Sequence, residues 1–146
     1  MPPIGADRGL VLHVEDDPAV AASLALLLRL AGFRALSAPD GESALRLVTN
    51  EGVRPDALIV DFRLPGEMDG SETAEAVSRA LHEAIPIILL SGELANASLP
   101  WLPGVPIWPM TKPAQPDLMV KAVETFVELH RWITAQAAAG GLPRCD

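Results

Sequence analysis

The 146-residue chain holds one cysteine, Cys145, in its last two residues. It can form no internal disulfide, and a lone cysteine so near the end is read as incidental. No apolar run approaches the roughly 20 residues that a membrane span needs; the strongest is Ile85-Pro86-Ile87-Ile88-Leu89-Leu90. The start, Met1-Pro2-Pro3-Ile4-Gly5-Ala6-Asp7-Arg8-Gly9, lacks the apolar core of a secretory signal. A cytoplasmic protein without membrane contact is therefore expected. Cations are scarce: 11 Lys and Arg stand against 19 Asp and Glu, a formal net charge of -8. Nucleic-acid binding needs clustered cations to meet phosphates, so none is expected from this chain. No internal repeat and no second domain show. After residue 134 no DNA-binding segment follows, so a one-chain transcription factor is not expected.

What is present is apolar. A hydrophobic content of 49% over this length suits one domain with a real core. The chain is organised around Ala57-Leu58-Ile59-Val60-Asp61-Phe62-Arg63-Leu64-Pro65-Gly66. Its apolar, partly β-branched start reads as a buried strand, which ends in one carboxylate and a Pro-Gly turn signal. Open parallel α/β sheets bind ligands outside the carboxyl ends of their strands, which is where Asp61 would sit. For Asp61 alone the plainer reading, an acid that begins a loop, is preferred. Other apolar runs that end in the same kind of chemistry change that preference.

Leu10 to Val14 reads as the first strand and stops at Glu15-Asp16-Asp17-Pro18. Three adjacent carboxylates repel one another and need water, donors or a metal. Oxygen-rich sites of this kind suit Mg²⁺. Asp17 before Pro18 is also good helix-start chemistry, so Asp17 is read as a cap while Glu15 and Asp16 point into a site. His13, polar in an apolar strand, is taken as a packed or rim residue. Val20, Leu24, Leu27, Leu28 and Ala31 lie at helical spacing, giving a helix of about four turns that Gly32 ends. Phe33 to Ala38 reads as a second strand. Asp40 is the candidate cap of a second helix with Leu45 and Val48 inward and Gly52 at its end. The third strand runs Asp56 to Asp61.

After Glu67-Met68-Asp69-Gly70, a helix puts Ala74, Val77, Ala80, Leu81 and Ala84 toward the core, with His82 solvated. A fourth strand, Ile87 to Leu90, ends at Ser91-Gly92. Pro100, Pro103, Pro106 and Pro109 then recur at every third residue, with Trp101 and Trp108 between them. That period favours extended, polyproline-like backbone, leaving room for one or two helical turns in Glu93 to Ser98. Pro106 to Met110 can be a strand only at a sheet edge; it leads to Thr111-Lys112-Pro113. The Pro-Trp stretch is read as a stiff loop in preference to a docking surface. Asp117 opens the last helix, with Met119, Ala122, Val123, Phe126 and Val127 inward. Leu129, Trp132 and Ile133 carry apolar character beyond one stripe. They point to a partner or homodimer contact through this helix, or equally to a fold-back onto the Pro-Trp loop.

Alternating strands and helices predict an α/β fold with a parallel sheet covered on both faces. Its strand ends would carry Glu15-Asp16, Asp61, Ser91 and Lys112. This set suits a phosphoryl group held on a carboxylate: the acids bind Mg²⁺, Asp61 attacks phosphorus, Ser91 donates to one phosphoryl oxygen, and Lys112 neutralises another.

At this point the chain resembles the receiver domain of two-component response regulators, in stand-alone, single-domain form. The residues that carry the resemblance are Val14-Glu15-Asp16-Asp17-Pro18, Asp61-Phe62-Arg63-Leu64-Pro65-Gly66 with Asp69-Gly70, Ile87 to Gly92, and Lys112-Pro113. Each motif is weak alone, but the ordered set, spanning about residues 9 to 134, is specific. It leaves 1–8 as a flexible N-terminus and 135–146 as a C-terminal tail. The resemblance implies a doubly wound, flavodoxin-like, five-stranded parallel sheet in the order 2-1-3-4-5. It implies Asp61 as the phosphoacceptor, supplied by a sensor histidine kinase or a histidine phosphotransfer protein. Mg²⁺ would be held by Glu15, Asp16, Asp61 and the backbone carbonyl of Arg63. Ser91 and Lys112 would sense the phosphate, the Lys112–Pro113 bond would be cis, and Arg63 and Glu93 would set how fast water removes the phosphate. A two-state surface around the fourth and fifth strands would then engage a downstream protein. Such a protein is a regulator and not an enzyme in the ordinary sense.

Two departures bear on the readout. Prolines replace much of the helix that receivers usually carry before the fifth strand, so a shortened or irregular fourth helix is expected. The position three residues before Lys112, often Tyr or Phe in receivers, is Pro109. Three alternatives follow: a phosphate sink or hybrid-kinase receiver, an interaction module indifferent to phosphate, and a phosphohydrolase. The last is disfavoured because such enzymes generally place a second acid two residues after the nucleophile, and Arg63 stands there.

Overall fold

The computed structural model describes residues 7–93 and 98–140. Its elements are β1 (Leu10–Val14), α1 (Pro18–Leu30), β2 (Arg34–Ala38), α2 (Gly41–Thr49), β3 (Ala57–Asp61), α3 (Gly70–Leu81), β4 (Ile87–Ser91), β5 (Ile107–Thr111) and α4 (Pro116–Ala138). The strands form one parallel sheet in the order β2-β1-β3-β4-β5. This is the expected doubly wound topology.

Strand alternation divides the core in two. Val11, Ile59, Ile88 and Leu90 face α1 and α4, against Leu28, Met119, Val123 and Phe126. Leu12, Val14, Leu58, Val60, Ile87 and Leu89 face α2 and α3, against Ala44, Val48, Ala74, Val77 and Leu81. A strand buried on both faces reads as a near-continuous apolar run, as β3 and β4 do up to their last residue and β1 does apart from His13. Each fully buried Leu, Ile or Val contributes about 1.5–3 kcal/mol, so this double layer holds the strand ends in place.

The helix starts follow from their caps. Asp17 accepts the N–H of Ala19 at 2.9 Å ahead of Pro18, and Asp40 accepts that of Ser43 at 2.7 Å. Asp69 and Glu72 form a reciprocal capping box on α3. Gly32, at φ +98°, turns the chain out of α1 as expected.

Three expectations need correction, and a fourth falls outside the described residues. Of the stripe expected for α1, Leu28 is buried and Leu24 and Ala31 pack against the same core, but Ala21 and Ala25 are buried as well and Val20 stays 43% exposed. The small alanines let the helix lie close on the sheet, which turns the larger Val20, Leu26 and Leu30 outward. Ala84 is exposed because α3 ends at Leu81 and His82 takes a left-handed conformation, φ +55°. The last helix begins at Pro116 and runs to Ala138, so the first residues assigned to the tail are helical. Between β4 and β5 no helix occurs among the described residues; the turns expected in Glu93 to Ser98 fall largely on 94–97, outside them.

The proline-flanked β5 lies at the sheet edge, where Pro109 stands opposite Leu89. Trp108 meets Phe126 of α4 edge-on at 6.2 Å, and Trp132 remains 56% exposed. No helix among the described residues is long and apolar enough to cross a membrane.

Candidate functional site

The carboxyl ends of β1, β3, β4 and β5 meet in one place because backbone bonds align them. The Glu15 N–H donates to the Ala38 carbonyl at 2.9 Å, that of Phe62 to Leu90 at 2.7 Å, and that of Lys112 to Ser91 at 2.8 Å. Glu15, Asp61, Ser91 and Lys112 are thereby brought to one rim, with Asp16 at its exposed edge. Glu15, Asp61 and Ser91 are buried.

One carboxylate oxygen each from Glu15, Asp16 and Asp61 lies within 4.8 Å of the others. Lys112 Nζ bonds Asp61 Oδ2 and lies 3.5 Å from Glu15 Oε2. Burial, and then the neighbouring Asp61, push the Glu15 carboxyl up to about 7 against the pull of Lys112. Burial would lower the Lys112 ammonium, but the bond to Asp61 and the charges of Asp61 and Glu15 raise it above its usual range. The amine therefore stays charged at neutral pH.

One cation facing three acids leaves the cluster short of positive charge. An all-oxygen donor set of this kind fits Mg²⁺ and not a metal that prefers nitrogen or sulfur. Arg63 enters through its backbone, its N–H reaching Asp61 Oδ1 at 3.3 Å, while the residue itself is exposed. The Glu93 N–H donates to Ser91 Oγ at 3.1 Å. The Lys112–Pro113 peptide is cis, as expected.

Gly70 shows why α3 begins where it does. A Cβ there would stand 2.3 Å from the Asp61 carbonyl oxygen, and the Gly70 N–H donates to the Phe62 carbonyl at 2.7 Å. Only glycine lets the helix start approach the end of β3 so closely.

His13 is packed, as expected, and neither ring nitrogen has a partner among the described residues. Two features escaped the sequence reading. Asp56 and His130 pair at 3.0 Å beneath the opposite end of the sheet. Glu42 of α2 reaches the loop after Asp61. The only hint of the second was an acid in the first turn of α2, which helix-start chemistry alone explains.

The model of the response regulator receiver domain family matches residues 11–124, and the chain belongs to that family. The transcriptional regulatory protein PrrA of Mycobacterium tuberculosis is 43% identical over 87 residues, covering 60% of this chain and 36% of the relative. The transcriptional regulatory protein GlrR of Escherichia coli is 30% identical over 120 residues, covering 81% of this chain and 26% of that protein. The chain thus spans about a third or less of the length of these curated relatives. The expectation of no nucleic-acid partner finds no support in relatives so named and rests on charge balance alone.

Among solved structures, the N-terminal domain of a response regulator/sensory box/GGDEF 3-domain protein from Carboxydothermus hydrogenoformans matches with a TM-score of 0.74 and 26% identity, over 86% of this chain and 98% of that one. The receiver domain from the hybrid histidine kinase CckA matches with a TM-score of 0.66 and 31% identity, over 82% and 99%.

Proposed function

We propose that this receiver domain is the phosphoacceptor of a histidine-to-aspartate phosphorelay. The observation that carries the reading is the convergence of Asp61, Glu15, Asp16, Ser91 and Lys112 on one rim, with Lys112 bonded to Asp61. An Asp61 carboxylate oxygen attacks the phosphorus of a phosphohistidine on a sensor histidine kinase or phosphotransfer protein. The P–N bond breaks, an O–P bond forms, and the departing imidazole nitrogen takes a proton from solvent. Lys112 neutralises one phosphoryl oxygen, and the Ser91 hydroxyl donates to another.

Glu15, Asp16, Asp61 and the Arg63 carbonyl would hold Mg²⁺, whose chemistry is charge neutralisation on the phosphoryl oxygens. The chain acts as a regulator: it takes phosphate from a donor, loses it to water, and is otherwise not an enzyme. Its setting is cytoplasmic, where the kinase partner works. Aspartyl phosphate then biases the surface around β4 and β5 toward a downstream protein target. Exposed Trp132 on α4 supports a homodimer contact as a further partner surface.

Acetyl phosphate with Mg²⁺, read by intact mass, tests this. The wild type gains one phosphate and Asp61→Asn gains none; a gain in both, or in neither with the protein folded, overturns the reading. A second reading, an interaction module or phosphate sink, is favoured by one observation: Pro109 stands where a rotating aromatic would act. Partner binding that Asp61→Asn leaves unchanged would support the interaction module.

A further inference from the structure

The loop from Phe62 to Asp69 joins β3 to α3 and carries the Arg63 peptide that faces Asp61. Its two ends are closed on the strand: Arg63 N–H reaches Asp61 Oδ1 at 3.3 Å, and Gly70 N–H, just past the loop, donates to the Phe62 carbonyl at 2.7 Å. Its middle is tied to α2. The Glu67 N–H donates to Glu42 Oε1 at 3.0 Å. The same carboxylate lies on Gly66, which sits at φ +93°; a Cβ there would meet Glu42 Oε2 at 2.7 Å. One residue back, Gly41 packs so closely that a Cβ would stand 2.2 Å from Thr73 Oγ1 and 3.0 Å from Met68 Cε. The first turn of α2, fixed by its Asp40 cap, is therefore seated on residues 66–68 of the loop.

We infer that Glu42 is a positioning residue for the phosphoacceptor site. This rests on the phosphoacceptor reading above and adds a part to it. Glu42 touches neither Asp61 nor the other acids; it acts through the loop. A loop closed at its ends and also held in its middle presents the Arg63 peptide in one place. A loop free in its middle must order that peptide each time a cation binds, and ordering costs conformational entropy. The hold is one accepted bond: a Glu42 side-chain oxygen takes the Glu67 N–H, which any side-chain oxygen at the same reach could also accept.

The test compares the wild-type chain with Glu42→Ala and Glu42→Gln. Glutamine keeps an oxygen that accepts the Glu67 N–H; alanine does not. Four quantities are read: Mg²⁺ affinity by calorimetry, the rate of phosphate gain from acetyl phosphate, hydrogen exchange at the Glu67 amide, and the thermal midpoint. Glu42→Ala is expected to speed Glu67 exchange, weaken Mg²⁺ about threefold or more, and slow phosphate gain by a similar factor. Glu42→Gln is expected to stay within about twofold of the wild type on each. Two results overturn the inference while leaving the phosphoacceptor reading intact. In one, Glu42→Ala matches the wild type in Mg²⁺ affinity and rate. In the other, Glu42→Gln fails as badly as Glu42→Ala, which makes the charge and not the bond responsible. A wild type that neither binds Mg²⁺ nor gains phosphate overturns the phosphoacceptor reading, and this inference with it.

Discussion

Lys112 Nζ bonds Asp61 Oδ2 although 51 residues separate them, and it is the cation nearest the buried Glu15 as well. Removing it leaves two buried carboxylates facing each other. Lys112→Met should therefore destabilise the Mg²⁺-free protein. Losing one partner of a fully buried pair costs about 3–5 kcal/mol. The Lys112 side chain is 33% exposed, so solvent screening brings the expected loss to about 1–2 kcal/mol. Mg²⁺ should raise the thermal midpoint of the variant more than that of the wild type. Denaturant unfolding with and without Mg²⁺ measures both; equal stability without the metal would show that the ion pair contributes nothing.

The seat of α3 on β3 makes a sharper steric prediction. Gly70→Ala places a Cβ 2.3 Å from the Asp61 carbonyl oxygen and 2.5 Å from Phe62 Cα, both backbone atoms that no rotamer change can move. Overpacking of this kind costs about 1–3 kcal/mol. The shift must be taken up at Asp61 itself, so, on the phosphoacceptor reading proposed above, phosphate gain should slow along with the loss of stability. Urea midpoints and mass-detected phosphorylation on the same preparations check the pair. An alanine variant as stable as the wild type would mean that α3 can slide away from Asp61.

The site was legible because three of its members directly follow an apolar run, Glu15 after Val14, Asp61 after Val60 and Ser91 after Leu90, and Asp16 and Lys112 stand one residue further on from theirs. Short buried strands advertise their own ends. The face of α1 was only partly legible: Leu24, Leu28 and Ala31 join the core as expected, but Leu24, Leu26, Leu27, Leu28 and Leu30 supply apolar residues all round the helix. Only tertiary contact decides that Ala21 and Ala25 face the sheet. The contacts Glu42–Glu67 and Asp56–His130 join residues 25 and 74 apart. The first uses a backbone N–H, which leaves no trace in side-chain type.

His13 makes the first pH prediction. Burial, helped by Lys112 and opposed by Asp61, lowers its imidazole from 6.5 to about 4. The folded state thus disfavours the charged ring that the unfolded chain acquires first. The contribution of His13 to stability is whole above pH 6.5 and is lost as pH falls from 6.5 toward about 4. At the lower end the loss approaches about 3 kcal/mol. His13→Leu, close in volume and without a titrating group, should flatten the stability profile across that window. Guanidinium unfolding at half-unit pH steps measures it; parallel wild-type and variant profiles there would remove His13 as the cause.

Asp56 governs the opposite end of the sheet. Its carboxylate accepts the Leu10 N–H at 3.0 Å, pairs with His130 Nδ1 at 3.0 Å and lies 3.7 Å from Arg131. The starts of β1 and β3 are thereby fixed to α4. Burial would raise the Asp56 carboxyl, but the bonds from His130 and Leu10 and the charge of Arg131 prevail and hold it below 3.8. A depressed carboxyl contributes stability above its unfolded value that disappears as pH falls through the folded one, here below pH 3.8. Asp56→Ala should cost about 2 kcal/mol at neutral pH and leave a shallower acid limb. A double-mutant cycle with His130→Ala should give a coupling of about 1 kcal/mol, since the two side chains share one contact. Phosphate gain should stay within about twofold, because this clasp sits at the far end of the strands from Asp61. Additive losses in the cycle would mean that each residue packs independently and that the bond between them holds nothing together.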